Sequence, residues 1–289
     1  MTVTPTAVVV AATPPPDWRA QLFSGALLIV TGVDELTAFR AYVAAVLEEA
    51  FAPAEPPLAQ DRLDAGDFAA RIAPLRRRFR GDARARELFA PVLQRFGLGA
   101  ATTYWDQVSL RVLPSGDLPD GLADLALGAH RDTWSSNVYA QVNWWTPIHP
   151  VTTGRALAFY PRHWTRAIGN SSGAWDLHEL RRQRADGGPP TVPLVPAPTA
   201  VLDPADAVIV TVQPGDLLLF SGAHLHATVP NGSGVPRFSV EVRTVAIDDV
   251  RAGRGAPNVD GAAPWVPWEW FRRVSDRTSL ADALDDGDR

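Results

Sequence analysis

The sequence predicts a mainly β protein with flanking helices, an α+β arrangement in which the helices come first. Residues 35–96 carry apolar side chains at helical spacing, whereas from Thr102 onward short segments alternate apolar and polar residues, as half-buried strands do. Turn signals such as Gly215-Asp216 and Asn231-Gly232 separate these segments. This order is typical of a closed or two-sheet antiparallel β architecture with a helical layer outside.

The elements are expected in the following order. Residues 1–17 resemble a frayed leader that ends in prolines, and 26–33 a buried strand. Asp34 should cap a helix from about Glu35 to Phe51, with further helices near 66–78 and 84–96. Strands are predicted in the segments 102–113, 137–145, 156–161, 207–212, 217–221, 226–229 and 237–247.

One domain is expected, spanning residues 1–289, because neither an internal repeat nor a linker divides the chain. Its parts are a mostly helical region at 1–100, a β core at 101–247 and a tail at 248–289. The core is interrupted at 166–206 by a Gly- and Pro-rich insertion with one helical turn around 175–184. Such a loop is a candidate lid.

The composition excludes several kinds of chemistry. The chain has no cysteine, which removes disulfides, thiolate nucleophiles, Fe–S clusters and thiolate zinc sites. It has no lysine either, since all 27 basic residues are arginine, so P-loop and Schiff-base lysines are also excluded. The six histidines therefore hold most of the remaining chemical options.

The charge and hydropathy bear on partners and location. The net charge is −5, and the only basic cluster is Arg76-Arg77-Arg78, which argues against nucleic acid as a partner. No apolar run approaches the roughly 18 residues that a membrane span needs. The first residues lack the basic start of a secretory signal, so a cytoplasmic location is expected. With nucleic acid and membrane both disfavoured, the expected partner is a small-molecule substrate. The oligomeric state cannot be predicted.

The first candidate site is the tripeptide His130-Arg131-Asp132. On an extended segment, residues two apart project to the same side, so the imidazole and the carboxylate can reach one cation. Two histidines and one carboxylate on one face suit Fe(II) and leave coordination positions open. The motif alone is weak, because an acidic residue two positions from one of six histidines arises readily by chance.

The second histidine ligand must come from downstream, where His226 is favoured over His149, His163, His178 and His224. His226 follows a predicted buried strand and precedes Arg237 by eleven residues. If the segments at 226–229 and 237–247 are antiparallel neighbours, Arg237 can point into the same cavity as His226. Arg237 and Ser239 would share a strand face and suit a carboxylate of a ligand.

These residues carry a family resemblance. The run GDLLLFSGAHLHATVPNGSGVPRFS resembles the distal half of phytanoyl-CoA dioxygenase-like Fe(II)/2-oxoglutarate oxygenases, with the distal histidine on His226 and the co-substrate arginine on Arg237. His130 and Asp132 match the metal pair of the proximal half. The resemblance covers roughly residues 100–245. It departs from the family at Gly154-Arg155-Ala156, where an Asn-Gly-like turn is expected.

The resemblance implies a double-stranded β-helix, the jelly-roll or cupin-like fold, with Fe(II) held by His130, Asp132 and His226. It implies that 2-oxoglutarate is a co-substrate whose C5 carboxylate pairs with Arg237 and Ser239. Gln107, on the strand before the metal motif, is a candidate for its C1 carboxylate. With O2, the expected reaction is hydroxylation of a C–H bond in a natural-product intermediate or an amino acid. Asp132 favours hydroxylation over halogenation, while desaturation, epoxidation and ring formation stay open.

Two alternatives remain open at this point. His224-Leu225-His226 is itself a His-x-His motif, as in cupin-type metalloenzymes, but the glutamate that such sites need does not follow until Glu241. A jelly-roll ligand-binding domain with incidental histidines would bind neither metal nor co-substrate. Iron binding and 2-oxoglutarate turnover distinguish these alternatives from an oxygenase.

Overall fold

The computed structural model describes residues 8–116, 126–186 and 191–285. Its strands are β1 (Val8–Ala11), β2 (Leu27–Val30), β3 (Thr103–Trp105), β4 (Ser109–Leu113), β5 (Val142–Pro147), β6 (Leu157–Phe159), β7 (Val208–Val210), β8 (Leu217–Ser221), β9 (His226–Thr228), β10 (Arg237–Ala246) and β11 (Arg272–Arg273). Its α-helices are α1 (Trp18–Phe23), α2 (Leu36–Phe51), α3 (Ala59–Arg62), α4 (Ala65–Gly81), α5 (Ala83–Arg95), α6 (Thr133–Ser136), α7 (Leu177–Ala185), α8 (Ile247–Arg251) and α9 (Leu280–Asp285). The prediction of a sheet-rich protein with flanking helices is confirmed.

An eight-stranded sheet forms the centre of the fold. Its order is β1-β2-β8-β5-β10-β3-β11, and β4 also pairs with β10. Only β1 and β2 run parallel; the other pairs are antiparallel. The ten-residue strand β10 contacts β5 along one edge, and β4 and β3 in succession along the other. β10 is therefore a central strand that pairs with three other strands of the sheet.

A second sheet of three strands has the order β7-β6-β9. The expectation that the segments at 226–229 and 237–247 are antiparallel neighbours is wrong, because β9 pairs with β6 while β10 belongs to the large sheet. His226 and Arg237 nevertheless line one pocket. They reach it from two facing sheets rather than from adjacent strands.

The protein has three layers. Helices α2, α4 and α5 pack on one face of the large sheet through a core that includes Phe39, Phe89 and Trp144. The other face of the large sheet packs on the small sheet through a second core that includes Trp145, Phe159 and Phe220. Successive side chains of a strand point to opposite faces, so Trp144 faces the helices and Trp145 faces the space between the sheets. The C-terminal tail (248–289) packs on the rest of the protein through Phe271, which lies in a cluster with Tyr104 and Val245.

The start of the chain differs from expectation. Residues 8–11 form a strand beside β2 rather than a frayed leader, and the rest of the predicted leader up to residue 7 lies outside the described residues. The short run Val8–Ala11 gains its stability from the neighbouring strand, a tertiary effect that local pattern does not show. Among the described residues, no helix is long and apolar enough to cross a membrane.

Candidate metal centre

The three predicted ligands meet where a loop of the chain approaches the small sheet. His130 and Asp132 lie directly before α6, and His226 is the first residue of β9. The backbones of the two histidines pair: each N–H donates to the other residue's carbonyl, at 2.9 and 3.0 Å. This bridge sets the two imidazoles side by side, with ring centroids 4.4 Å apart.

Hydrogen bonds orient both imidazoles. The Nδ1 atom of His130 lies 2.8 Å from the carbonyl oxygen of Gly128, and Nδ1 of His226 lies 2.9 Å from that of His224. Each Nδ1 therefore carries the proton, and each Nε2 keeps its lone pair for a ligand. Burial, helped by the neighbouring His226, lowers the pKa of His130 to about 4, so this ring is neutral at pH 7.

The carboxylate of Asp132 is held by amides. Its Oδ2 accepts hydrogen bonds from Gln141 at 3.1 Å and from Asn143 at 2.5 Å, while Oδ1 lies 3.6 Å from the Arg243 guanidinium. Burial alone would raise the pKa of Asp132, but Arg243 and the two histidines outweigh burial and lower it. Gly222 permits this close packing, because a Cβ there would lie 2.8 Å from Nε2 of Gln141.

The chemistry of this donor set fits one metal ion. One ligand atom from each of His130, Asp132 and His226 can lie within 4.8 Å of the other two, and all three side chains are buried. Two imidazoles and one carboxylate suit Fe(II), and three protein ligands leave further coordination positions open. Among the described residues, no other group of histidines and carboxylates has this geometry.

A pocket beside the three ligands contains Arg237, which is 3% exposed. Its Nη1 donates to the carbonyl oxygens of Arg155 and Ala156, at 3.2 and 3.0 Å. Its Nε is buried without a hydrogen-bond partner, as is the hydroxyl oxygen of Ser239. The guanidinium lies 5.7 Å from the ring centroid of Trp145, which packs against it. The free edge of Arg237 and the Ser239 hydroxyl are thus available to a carboxylate of a ligand.

The segment Gly154-Arg155-Ala156, where the sequence departs from the family pattern, supplies the carbonyl groups that hold Arg237. In place of an Asn-Gly turn, residues Thr153–Arg155 form a short 3-10 helix before β6. The carbonyl groups at its end hold one edge of Arg237 and thereby fix the direction of the other edge. Burial, together with Arg111, lowers the pKa of Arg237 to about 10, so it stays charged at neutral pH.

Sequence reasoning missed a buried ionic network between this pocket and the metal ligands. Glu241 accepts hydrogen bonds from Arg111 at 2.8 Å and from Arg243 at 3.1 Å. Burial alone would raise the pKa of Glu241, but the two arginines outweigh burial and lower it. Residues 237, 239, 241 and 243 alternate along one strand, so the inward face of β10 could have been predicted to be polar throughout.

Arg131, the middle residue of the metal motif, is also buried in an ion pair. Its Nε lies 3.0 Å from Oδ1 of Asp260, which comes from the C-terminal tail, and its other nitrogens donate to the carbonyls of Ala223 and His163. Asp260 also accepts a hydrogen bond from Trp134 at 2.7 Å. The tail therefore fastens the loop that carries His130 and Asp132, a link that no sequence pattern indicated.

The remaining histidines lie outside the ligand set. Both ring nitrogens of His224 face backbone carbonyls, Nδ1 at 3.1 Å from Ser221 and Nε2 at 3.1 Å from Gly25. His224 is therefore anchored in the core, where it packs on Trp164. His149 stacks edge-on against Phe238, and His178 is exposed on α7.

Gln107 lies apart from the pocket of Arg237. It lines a larger neighbouring cavity together with Asp106, Arg243 and residues of α4 and α7. Burial raises the pKa of Asp106 to about 6, although Arg243 opposes the shift. Arg243 and Asp132 line both spaces, so the two cavities meet at the candidate metal centre.

No protein-family model matches the chain, and no curated protein matches it. It is similar to solved structures, among them EvdO2 from Micromonospora carbonacea var. aurantiaca, with 14% identity over 84% of this chain and 92% of that chain at a TM-score of 0.45. EvdO2 has also been solved in complex with 2-oxoglutarate, at 15% identity and a TM-score of 0.44, with the same shares of both chains covered. The non-haem alpha-ketoglutarate-dependent carbocyclase SnoK from nogalamycin biosynthesis is 18% identical over 85% of this chain and 90% of that chain, at a TM-score of 0.40.

The epimerase SnoN, solved with Fe3+ and alpha-ketoglutarate, is 18% identical over 80% of this chain and 85% of that chain, at a TM-score of 0.42. These solved structures are what the chain is similar to. At these identities and TM-scores the roles of individual residues follow from the site itself.

Proposed function

We propose that this protein is a non-haem Fe(II)/2-oxoglutarate-dependent dioxygenase with a double-stranded β-helix core. One observation carries the proposal: three buried metal-ligating side chains line one pocket together with a buried arginine whose Nε has no hydrogen-bond partner. A metal ion alone would need only the first feature. The second feature indicates an anionic co-substrate next to the metal.

His130, Asp132 and His226 are proposed to hold the iron. The hydrogen bonds of Gly128 and of His224 keep both imidazoles in the tautomer that can ligate. Gln141 and Asn143 hold Oδ2 of Asp132 and leave Oδ1 on the side of His130, whose Nε2 is 3.8 Å away. The protein thus presents three preorganised ligands with little cost of rearrangement on binding.

Arg237 is proposed to bind the distal carboxylate of 2-oxoglutarate through Nε and Nη2, with a hydrogen bond from Ser239. Trp145 provides an apolar wall beside the guanidinium, which strengthens a charge-assisted pair by excluding water. When bound, iron with 2-oxoglutarate and O2 supplies the oxidising power, with decarboxylation to succinate. Gln107 remains a proposed partner of the C1 carboxylate.

Hydroxylation of a C–H bond in a small molecule is the proposed reaction. Asp132 supplies a third protein ligand, which leaves no vacant place for a halide where a halogenase has a small residue. The insertion at 166–206 is proposed to act as a lid, since Leu177 and Leu180 of α7 line the larger cavity next to the metal centre. A natural-product intermediate or an amino acid is proposed as the substrate.

The cupin-type alternative requires His224 as a ligand. Both ring nitrogens of His224 face backbone carbonyls, so neither is available to a metal without disrupting the core. Glu241 is close to His226, but its carboxylate is engaged by Arg111 and Arg243. These contacts favour the set of His130, Asp132 and His226.

An anaerobic titration of the protein with Fe(II) and 2-oxoglutarate tests the proposal. The expected result is a weak visible charge-transfer band that saturates at one equivalent of each. The variant His226→Ala should lose the band, whereas His178→Ala, a change of the exposed histidine on α7, should keep it. A folded wild-type protein that gives no band would refute the proposed cofactor chemistry.

Turnover gives a second test. His130→Ala and Asp132→Ala should both abolish oxidation of 2-oxoglutarate to succinate, because each removes one of only three protein ligands. Full activity in either variant would refute the assignment of that residue.

A further inference from the structure

A cavity of about 710 Å³ adjoins the candidate metal centre, a size that suits a small-molecule ligand. Asp132, Arg243 and Gln107 lie at its inner end. Apolar side chains line one part of its wall, among them Leu110, Trp175, Leu194 and Trp270, and polar and charged side chains line the rest. The space therefore suits a molecule that has both an apolar body and a polar group.

Two helices present arginines to this cavity. Helix α4 contributes Ala73, Arg76, Arg77 and Arg80, and helix α7 contributes Leu177, Leu180, Arg181 and Arg184. Each set follows the spacing i, i+3, i+4, i+7, which is one face of a helix. The insertion at 166–206 thus adds its own arginines to those of the N-terminal helices.

Arginines on the outer faces of the same two helices are neutralised. Arg78 of α4 lies 3.9 Å from Asp82, and Arg182 of α7 lies 2.6 Å from Glu179. Within the described part of the chain, Arg77, Arg80 and Arg184 pair with no carboxylate. The helices therefore pair these outward arginines, whereas Arg77, Arg80 and Arg184 have no counter-charge among the described residues.

Arg181 faces the cavity but also has a carboxylate partner. It lies 3.5 Å from the half-exposed carboxylate of Glu269 and 5.8 Å from the ring centroid of Trp270. A guanidinium over an indole at the cavity wall is held in place by the ring and keeps donors for a further anion.

The two carboxylates that line the cavity, Asp106 and Asp132, lie beside Arg243. An anion that binds between the exposed Arg77, Arg80 and Arg184 therefore gains an attraction that no described carboxylate supplies. The concentration of arginine in this cavity contrasts with the net charge of −5 for the whole chain. Several guanidinium groups on two helices offer more donors than one carboxylate can accept. A phosphoryl group has three terminal oxygens and up to two negative charges, and arginine forks match its geometry.

We propose that this cavity binds the primary substrate, and that the substrate is an apolar small molecule with a phosphoryl group. The phosphoryl group binds between Arg77, Arg80 and Arg184, and the carbon to be oxidised lies at the Asp132 end. This inference rests on the proposed function for the identity of the reacting end only. Recognition of the anion depends on the cavity and not on the metal.

Calorimetric titration of the full chain, anaerobic and with Fe(II) and 2-oxoglutarate present, tests the proposal with 1-naphthyl phosphate as the probe. Two further probes of similar size, 1-naphthoate and uncharged 1-naphthol, report the contributions of charge and of the phosphoryl group. We expect 1-naphthyl phosphate to bind with the highest affinity of the three. Equal affinity for 1-naphthol or for 1-naphthoate would overturn the phosphoryl assignment.

A matched pair of double variants identifies the site. Arg80→Gln/Arg184→Gln removes two cavity arginines, and Arg78→Gln/Arg182→Gln removes two outward arginines of the same helices. The first should lower the affinity for 1-naphthyl phosphate at least about tenfold, whereas the second should leave it within about twofold. Equal losses in both variants would indicate a general charge effect and refute the site.

The charge-transfer band of the iron chelate is recorded in the same samples. A band without binding of 1-naphthyl phosphate would overturn the substrate inference and leave the proposed function standing. Binding that depends on Arg80 and Arg184, in a protein that gives no band, would support the anion site and refute the oxygenase.

Discussion

Replacing Arg237 with glutamine should weaken the binding of 2-oxoglutarate and leave iron binding intact. Arg237 is 3% exposed and uses Nη1 for two backbone carbonyls, while its Nε has no hydrogen-bond partner and remains for the proposed co-substrate carboxylate. A bidentate charge-assisted pair of this kind contributes about 2–3 kcal/mol. Since 1.4 kcal/mol corresponds to a factor of ten, the Kd of 2-oxoglutarate should rise by about 30- to 150-fold.

The assay is an anaerobic titration of the iron-loaded protein with 2-oxoglutarate, followed by the charge-transfer band. Pyruvate serves as a matched ligand, because it has the 2-oxo acid end but lacks the distal carboxylate. Its weaker affinity should be the same in the wild type and in Arg237→Gln. Arg237→Lys keeps the charge and loses the fork, so its affinity for 2-oxoglutarate should be intermediate.

Thermal unfolding must accompany the titration, because the glutamine leaves one of the carbonyls of Arg155 and Ala156 without a donor at a cost of about 1–3 kcal/mol. An unchanged Kd for 2-oxoglutarate in the folded variant would refute the reasoning. Arg111 and Arg243, which line the same pocket, would then be the remaining candidates for the distal carboxylate.

Three further outcomes are expected. Asn143→Ala removes one of two amides that hold Asp132, so the Kd for Fe(II), measured by competition with a chelator, should rise about 10- to 100-fold while the fold is kept. Burial lowers the pKa of His224 to about 4, against 6.5 when exposed, so the unfolded chain binds more protons between these values. The contribution of His224 to the free energy of unfolding should therefore be complete above about pH 6.5 and decrease towards pH 4. In urea unfolding, His224→Gln should lose less stability over this pH range than the wild type, and it should still bind iron. Asp260→Asn leaves Arg131 with its charge buried and unpaired, which should lower the free energy of unfolding by about 3–5 kcal/mol in the same assay; a change under about 1 kcal/mol would refute the structural role of this pair.

Local pattern predicted the elements of the fold better than their pairing. Helices α2, α4 and α5 lie where apolar spacing placed them, and each predicted strand segment contains a strand. The pairing of β9 with β10 was wrong, because a short connection through Asn231-Gly232 suggested a hairpin. The chain instead crosses from the small sheet to the large one between these strands, which depends on the packing of distant residues.

In the site, too, local sequence predicted individual residues but not their long-range contacts. The spacing of His130 and Asp132, and of His226 and Arg237, together with the family resemblance, selected residues that line one pocket of the fold. The partners that hold them come from distant parts of the chain: Asn143 from β5 and Asp260 from the tail. Such long-range contacts have no local signal in a single sequence.

Sequence reasoning assigned no role to the arginines of the large cavity, for a related reason. Arg76-Arg77-Arg78 is the only basic cluster in the sequence, and the lack of any other argued against nucleic acid as a partner. Arg77 and Arg78 are adjacent in sequence but lie on different faces of α4, one towards the cavity and one towards Asp82. Their counterparts lie on α7, about one hundred residues away, so neither helix alone indicates an anion site.

The inward face of β10 relates the two proposed binding sites to each other. Arg237 lies at the start of the strand and lines the smaller pocket, Ser239 shares its strand face, and Arg243 lies further along at the larger cavity. Glu241 lies between them on the strand and accepts hydrogen bonds from Arg243 and Arg111. Because side chains alternate along a strand, a shift of β10 by one residue would remove all of these groups from the cavities together. The antiparallel pairing of β10 with β5 on one side and β4 on the other therefore fixes the positions of Arg237, Glu241 and Arg243 relative to His130, Asp132 and His226 at the same time.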